Sequence, residues 1–295
     1  MILIKNGEVM KIRILFFLLI LNFNMDLIAN KELIEAAINS DLDKLKELVK
    51  SDININYQDQ DGNTALMYAV KNGDINAVNY LLLKGADPNI INNLQQTSLI
   101  LAVDRDNLSN VLDKSYSSQE LELLFKSDNN YPIVRSLLIK GANPNVRDNL
   151  GKSPLYLSAE YGDLRCLNLL LGVHNVDVNI KDIFGYTPLM AACRTNQKRI
   201  VNRLVKHPNI KLNAQSAGLT SLYNSNNSDE GTGLTALMVA ASMNRATIVK
   251  MLLRAGADYK ITDYNGRNAL DIAKGTYKSS KRLLEALNNH VNLKS

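Results

Sequence analysis

Thr64–Asn89 reads TALMYAVKNGDINAVNYLLLKGADPN, and Thr235–Lys260 reads TALMVAASMNRATIVKMLLRAGADYK. Two stretches this alike in one chain announce a repeat, and self-similarity at a fixed period decides an architecture before local propensity does. The slot held by Thr64 recurs at Thr97, Ser153, Thr187, Thr235 and Asn268, and counting one period upstream it falls on Lys31. The successive steps are 33, 56, 34, 48 and 33 residues. If 56 is a 33-residue unit with 23 extra residues and 48 is one with 15 extra, the chain contains seven copies of one unit.

Within a unit, a hydroxyl such as that of Thr64 caps the first free N–H groups of a helix. The next slot holds Ala65, Pro154, Pro188 or Ala236, and proline suits the first helical position because its missing donor has no partner there anyway. Leu66 and Ala69 share one face of a short helix that ends near Gly73, and Ile75, Val78, Leu81 and Leu82 form the apolar stripe of a second. Glycine then closes that second helix in KGADPN, in KGANPN (Lys140–Asn145) and in RAGADYK. So small a hairpin buries its apolar face only against copies of itself, which predicts a stack.

The pattern G-x-T-P-L-x-x-A, short turn, V-x-x-L-L, G-A-D-x-N resembles the ankyrin repeat, most closely in GYTPLMAA (Gly185–Ala192). The resemblance covers roughly residues 30–287. It implies an all-α solenoid of about seven helical hairpins joined by short β-hairpin-like turns. The expected repeats are 30–58, 59–91, 92–147 with an insertion at 104–130, 148–181, 182–215, 216–262 with an insertion at 217–233, and a C-terminal cap at 263–290 followed by a tail at 291–295. The first insertion carries helical spacing and a Ser117-x-x-Glu120 capping box, and reads as a helical excursion. The second is a Ser- and Asn-rich extension of a turn.

Ahead of the array, Lys11 and Arg13 precede an apolar run from Ile14 to Leu21, too short to span a bilayer. A basic start, a short apolar centre and the small residue Ala29 read as a secretory signal over 1–29, with Met10 as an alternative start. The expected location is therefore the periplasm or the exterior, with an uncleaved N-terminal anchor as the alternative. Without residues 1–29 the net charge is +4, from 31 basic and 27 acidic residues. That excess reads as small and spread through the chain. No aromatics are interleaved with basic clusters, so neither nucleic acid nor a membrane surface is expected as a partner.

Chemistry is hard to place on this chain. His174 and His207 hold nearly equivalent loop slots with no further ligand evident, so no metal or cofactor is expected. GKSP from Gly151 lacks the first glycine of a phosphate loop, because Val146 stands there. Cys166 and Cys193 fall where other copies carry Ala77 and Val70, and read as small core residues, a disulfide being the alternative. No nucleophile is paired with a base, so no enzymatic activity is expected.

What remains is a binding surface. In the ankyrin pattern, turn tips and the residues that follow the inner-helix Ala-Ala line a concave face, and several of those slots here are apolar or aromatic. Leu150, Tyr161, Ile183, Phe184, Tyr186 and Arg194 are the expected contact residues for a protein partner. The function expected is a non-catalytic, exported, monomeric protein-interaction scaffold. Two alternatives stay open: a secreted effector or inhibitor that blocks its partner, and an accessory subunit of a periplasmic enzyme.

Overall fold

A computed structural model describes residues 27–50, 53–104, 130–217, 233–276 and 280–292. The expected signal segment, apart from its last three residues, lies outside them, as does nearly all of both insertions.

The described residues form fourteen helices and no strand, in seven consecutive pairs. The pairs are α1 (27–38) with α2 (Leu42–Leu48), α3 (Ala65–Lys71) with α4 (Ile75–Leu83), and α5 (Ser98–Val103) with α6 (Asn130–Ile139). Then come α7 (Pro154–Tyr161) with α8 (Leu164–Leu171), α9 (Pro188–Arg194) with α10 (Lys198–Leu204), α11 (Ala236–Ser242) with α12 (Ala246–Arg254), and α13 (Ala269–Gly275) with α14 (Lys281–Asn292). First helices pack on first helices and second on second, giving an inner and an outer row.

Local chemistry starts each inner helix. The side chains of Thr64, Thr97, Ser153, Thr187, Thr235 and Asn268 accept the backbone N–H of Met67, Ile100, Tyr156, Met190, Met238 and Asp271. Such a cap contributes about 1 kcal/mol. The inner helices of repeats 2 to 6 are buried almost all round, as in α9, where Pro188 through Cys193 are all covered, whereas the terminal α13 buries only Ala269 and Ala273. Outer helices bury one stripe, such as Ala77, Val78, Leu81 and Leu82 of α4. Each fully buried leucine contributes about 2 kcal/mol of transfer free energy, and the covering atoms come from the next repeat.

Repeat 1 departs from the pattern. Lys31, the seventh occurrence of the capping slot, lies inside α1, and the helix runs back to residue 27. Lysine has no acceptor with which to cap, so nothing at that position stops the helix. At the other end, α14 continues to Asn292, into the stretch read as a tail, because neither Gly nor Pro interrupts residues 288–292.

Two sets of polar contacts join the repeats. Before each inner helix from repeat 2 on, the chain makes a tight finger. The backbone N–H of Asp59, Asn92, Asp148, Asp182 and Asp263 donates to the carbonyl four residues later. In each case the side-chain oxygen of that first residue also accepts the N–H groups two and four residues on. Repeat 6 carries Ser216 at this place. With the turn opened by the insertion, its hydroxyl takes the N–H of Leu234 instead.

The second set lies beyond the outer helices. Asn145 Oδ1 accepts the N–H of Asp177 at 2.8 Å while its Nδ2 donates to the carbonyl of Asn175 at 2.8 Å. Asn89 reaches Asn143 and Gly141 in the same way, and Asn179 reaches Lys211 and Asn209. The final Asn of G-A-D-x-N is thus a two-armed link to the next repeat, which an aspartate cannot be. Lys260 stands in this slot in repeat 6, whose successor has no closing Gly-Ala-Asp loop for an asparagine to reach.

Candidate protein-binding face

The fingers are zipped together at their tips. Asn93 N donates to Asp61 O, Asn149 N to Leu94 O, Ile183 N to Leu150 O and Ala217 N to Phe184 O, at 3.0 to 3.2 Å. Each bond joins the second residue of one finger to the third residue of the finger before it. The third residues therefore form a file that begins with Asp61 and continues as Leu94, Leu150 and Phe184.

Three of these four are apolar and stand in water: Leu94 is 51% exposed, Leu150 45% and Phe184 36%. Ile183, beside Phe184, is 39% exposed. Sequence reasoning missed Leu94. The register signal was present but disguised: Leu150 and Phe184 each precede a glycine, whereas Leu94 precedes Gln95. Gln95 nonetheless adopts the glycine-like φ of 60°.

The other three expected contact residues face partly or wholly inward. Tyr186 is buried at 7% exposure, with the Arg194 guanidinium 5.6 Å from its ring centroid. Tyr161 is half-buried and donates its hydroxyl to Asp104 Oδ1 at 3.1 Å. Arg194 donates to Glu160 Oε1 at 2.6 Å. Glu160 is the hub of this layer, since Lys152 Nζ lies 2.7 Å from its other oxygen. Beneath it, the Tyr156 hydroxyl donates to Asp182 Oδ2 at 2.8 Å, and the Lys152 ammonium sits 5.6 Å from the Tyr156 ring centroid. The site is thus a layer of exposed apolar tips over a layer of hydrogen-bonded charges and aromatic rings.

The electrostatics follow from this burial. Burial pushes the Asp182 carboxyl up, against the pull of the Tyr186 N–H, the Tyr156 hydroxyl and the Phe184 N–H. Asp148 is likewise raised by burial, opposed by its bonds from Lys152 and Leu150. Burial pushes the Tyr156 phenol up as well, and the negative Asp182 adds to it. For Arg194, burial acts to lower the pKa, but Tyr156 and Glu160 outweigh it and hold the guanidinium above its usual value.

These groups are committed to one another rather than poised to react. Ser153 Oγ caps α7, and Ser158 Oγ donates to Pro154 O. Lys152, the lysine of GKSP, is bound to Glu160. Cys166 and Cys193 are both buried and are not joined in a disulfide, and burial pushes the Cys193 thiol far up, away from the thiolate that reaction requires. His207 Nδ1 accepts the N–H of Asn209. Among the described residues no three His, Cys, Asp or Glu side chains are grouped to hold a metal.

Comparison with known proteins agrees with this architecture. A sequence profile described as Ankyrin repeats (3 copies) matches residues 33–113 and 123–216, and one described as Ankyrin repeats (many copies) matches residues 224–273. Inversin of Homo sapiens is 29% identical over 137 residues, 46% of this chain and 11% of that protein. The mitochondrial disaggregase of Bos taurus is 29% identical over 141 residues, 43% of this chain and 21% of that protein. The matches thus span about a tenth to a fifth of these relatives' length. Among solved structures, the ankyrin repeat domain of Bcl-3 superposes with a TM-score of 0.66 at 21% identity, covering 87% of this chain and 97% of that one. The human ASB11 ankyrin repeat domain gives 0.62 at 23% identity, covering 88% and 96%. At such identities the likeness is one of fold.

Proposed function

The chain belongs to the ankyrin repeat family, and from that premise we propose that it is an exported, non-catalytic scaffold that grips a protein partner with the finger tips of repeats 3 to 5. Ankyrin repeats serve as protein-interaction scaffolds, and the observation that selects the place is the file Leu94, Leu150, Phe184, flanked by Ile183. Turn tips are the cheapest positions to make polar, so consecutive apolar tips expose surface that folding does not require. The tip hydrogen bonds and the Glu160 hub hold the file in place before any partner arrives. Preorganisation of this kind lowers the cost of association. Export rests on Lys11, Arg13 and the Ile14–Leu21 run.

The test is a crosslinked pull-down read by quantitative mass spectrometry, with wild type, Leu150→Ala/Phe184→Ala and Leu83→Ala/Ile139→Ala as baits. Leu83 and Ile139 are exposed on outer helices away from the fingers and serve as the control. A partner lost with the finger variant and kept with the control supports the reading. Equal recovery with all three baits sinks it. Cell fractionation of the same samples tests export separately, and a cytoplasmic signal would remove that part alone.

A further inference from the structure

The positive charge of this chain is segregated. Residues 183–257 contain nine Lys and Arg and two carboxylates, Asp229 and Glu230, both in the insertion and outside the described residues. This quarter of the chain carries +7, against +5 for the whole, so the remaining residues sum to −2. An excess that reads as diffuse along the sequence therefore falls in repeats 5 and 6, which over 182–262, with Asp182, Asp258 and Lys260 included, carry +6.

The fold concentrates it further. On α10, Lys198 and Arg199 are exposed opposite the buried Ile200, Val201 and Leu204, and Lys206 is exposed in the turn just past its end. On α12, Lys250 and Arg254 are exposed opposite Ile248, Val249, Leu252 and Leu253. These helices pack side by side in the outer row, and neither contains an acidic residue. Of the other outer helices, α2 pairs Lys44 and Lys46 with Glu47 and Asp43, α14 pairs Lys281 with Glu285, α4 is uncharged, and α6 and α8 carry one arginine each and no acid. Among the described outer helices, only the neighbours α10 and α12 carry more than one exposed cation with no acid beside them.

We propose that this outer face of repeats 5 and 6 docks on an anionic lipid bilayer. A protein interface would need an apolar or aromatic centre to supply its anchors, and no large apolar side chain is exposed on α10 or α12. Single-stranded nucleic acid would need rings on which bases stack, and neither helix has an aromatic residue. Two parallel rods with axes about 8–10 Å apart, studded with flexible cations, instead suit a planar array of negative headgroups, where each cation strengthens partitioning about fivefold. None of the five residues belongs to a finger or an inner helix, so membrane docking and partner binding use separate surfaces.

Sedimentation of the full chain with phosphatidylcholine vesicles, with and without phosphatidylglycerol, tests this. Binding is expected only to the anionic vesicles at about 0.1 M salt and is expected to vanish near 1 M, where screening shortens to about 3 Å. The variant Lys198→Gln/Arg199→Gln/Lys250→Gln/Arg254→Gln changes only exposed side chains. Its partitioning is expected to fall by at least about a hundredfold with an unchanged circular dichroism spectrum. Leu150→Ala/Phe184→Ala is expected to partition like wild type, which separates this proposal from the finger face. Indifference to phosphatidylglycerol, or wild-type partitioning of the quadruple variant, overturns it. So does tighter binding to duplex DNA or to polyglutamate than to anionic vesicles at equal salt, which would assign the face to nucleic acid or to an acidic protein.

Discussion

Arg194 Nη2 lies 2.6 Å from Glu160 Oε1, across the boundary between repeats 4 and 5, and Lys152 holds the other oxygen of the same carboxylate at 2.7 Å. Only 12% of the Glu160 side chain is exposed, so two cations depend on one largely covered anion. Glu160→Ala is expected to leave both unneutralised and to cost about 2 kcal/mol, below the 3–5 kcal/mol of a fully buried pair because Arg194 keeps some solvent. Arg194→Ala, which leaves Glu160 still paired with Lys152, is expected to cost about half as much. Denaturant titration of the two single variants and the double variant gives the coupling, and a purely additive double variant would show that the bridge does nothing.

The asparagine links between repeats predict a sharp isostere effect. Asn145→Asp keeps the acceptor for the Asp177 N–H but turns an oxygen toward the Asn175 carbonyl in place of the donor. A loss of about 1–2 kcal/mol is expected at neutral pH, at least as large as that of Asn145→Ala. Thermal unfolding of the pair decides it, and an innocuous Asn145→Asp would show that the donor arm is dispensable.

Gln95 and Gly185 hold the same finger position with opposite consequences for substitution. Gln95 sits at φ 60°, a region in which a side chain is strained, so Gln95→Gly is expected to stabilise the protein by about 1 kcal/mol. Gly185 has φ 77°, and a Cβ there would overlap the backbone nitrogen of Ala217 in the next finger. Gly185→Ala is expected to cost about 3 kcal/mol, combining conformational strain with overpacking. Midpoints of chemical denaturation for the two variants should move in opposite directions.

Alkaline pH reports on two phenols, the half-buried Tyr68 and the buried Tyr156. Tyr68 is pushed up to about 12, by burial first and then by its hydrogen bond to Asp59, and Tyr156 is also raised by burial. The unfolded chain loses these protons near pH 10, whereas the folded chain retains the Tyr68 proton to about 12. Their contribution is therefore complete below pH 10 and is lost as pH rises through the folded value. Stability measured from pH 9 to 12 is expected to decline, and less steeply in Tyr68→Phe. Identical slopes would show that Tyr68 titrates as an exposed phenol.

The capping slots, the paired helices and the stacking were legible in Thr64–Asn89 because each depends on a few consecutive residues written out again one period later. Thr64, Ser153, Thr187 and Asn268 cap their helices for a reason contained within four residues. The repeat also placed Leu150, Ile183 and Phe184 on turn tips, where the structure has them. Lys31 broke the pattern because a period marks a slot without guaranteeing that its occupant has the chemistry to fill it.

Tertiary structure decided which way the remaining site residues point and where charge accumulates. Tyr186 is two residues from Phe184, yet one is covered by Arg194 and the other stands in solvent. Leu94 joins the file through a hydrogen bond to Asn149, and Glu160 becomes a hub through Arg194, 34 residues away. Lys198 and Lys250 share a face only because α10 and α12 are neighbours in the outer row. In a solenoid each repeat supplies half of its neighbour's surroundings, so a residue's own repeat determines its conformation and the adjoining repeat determines its exposure.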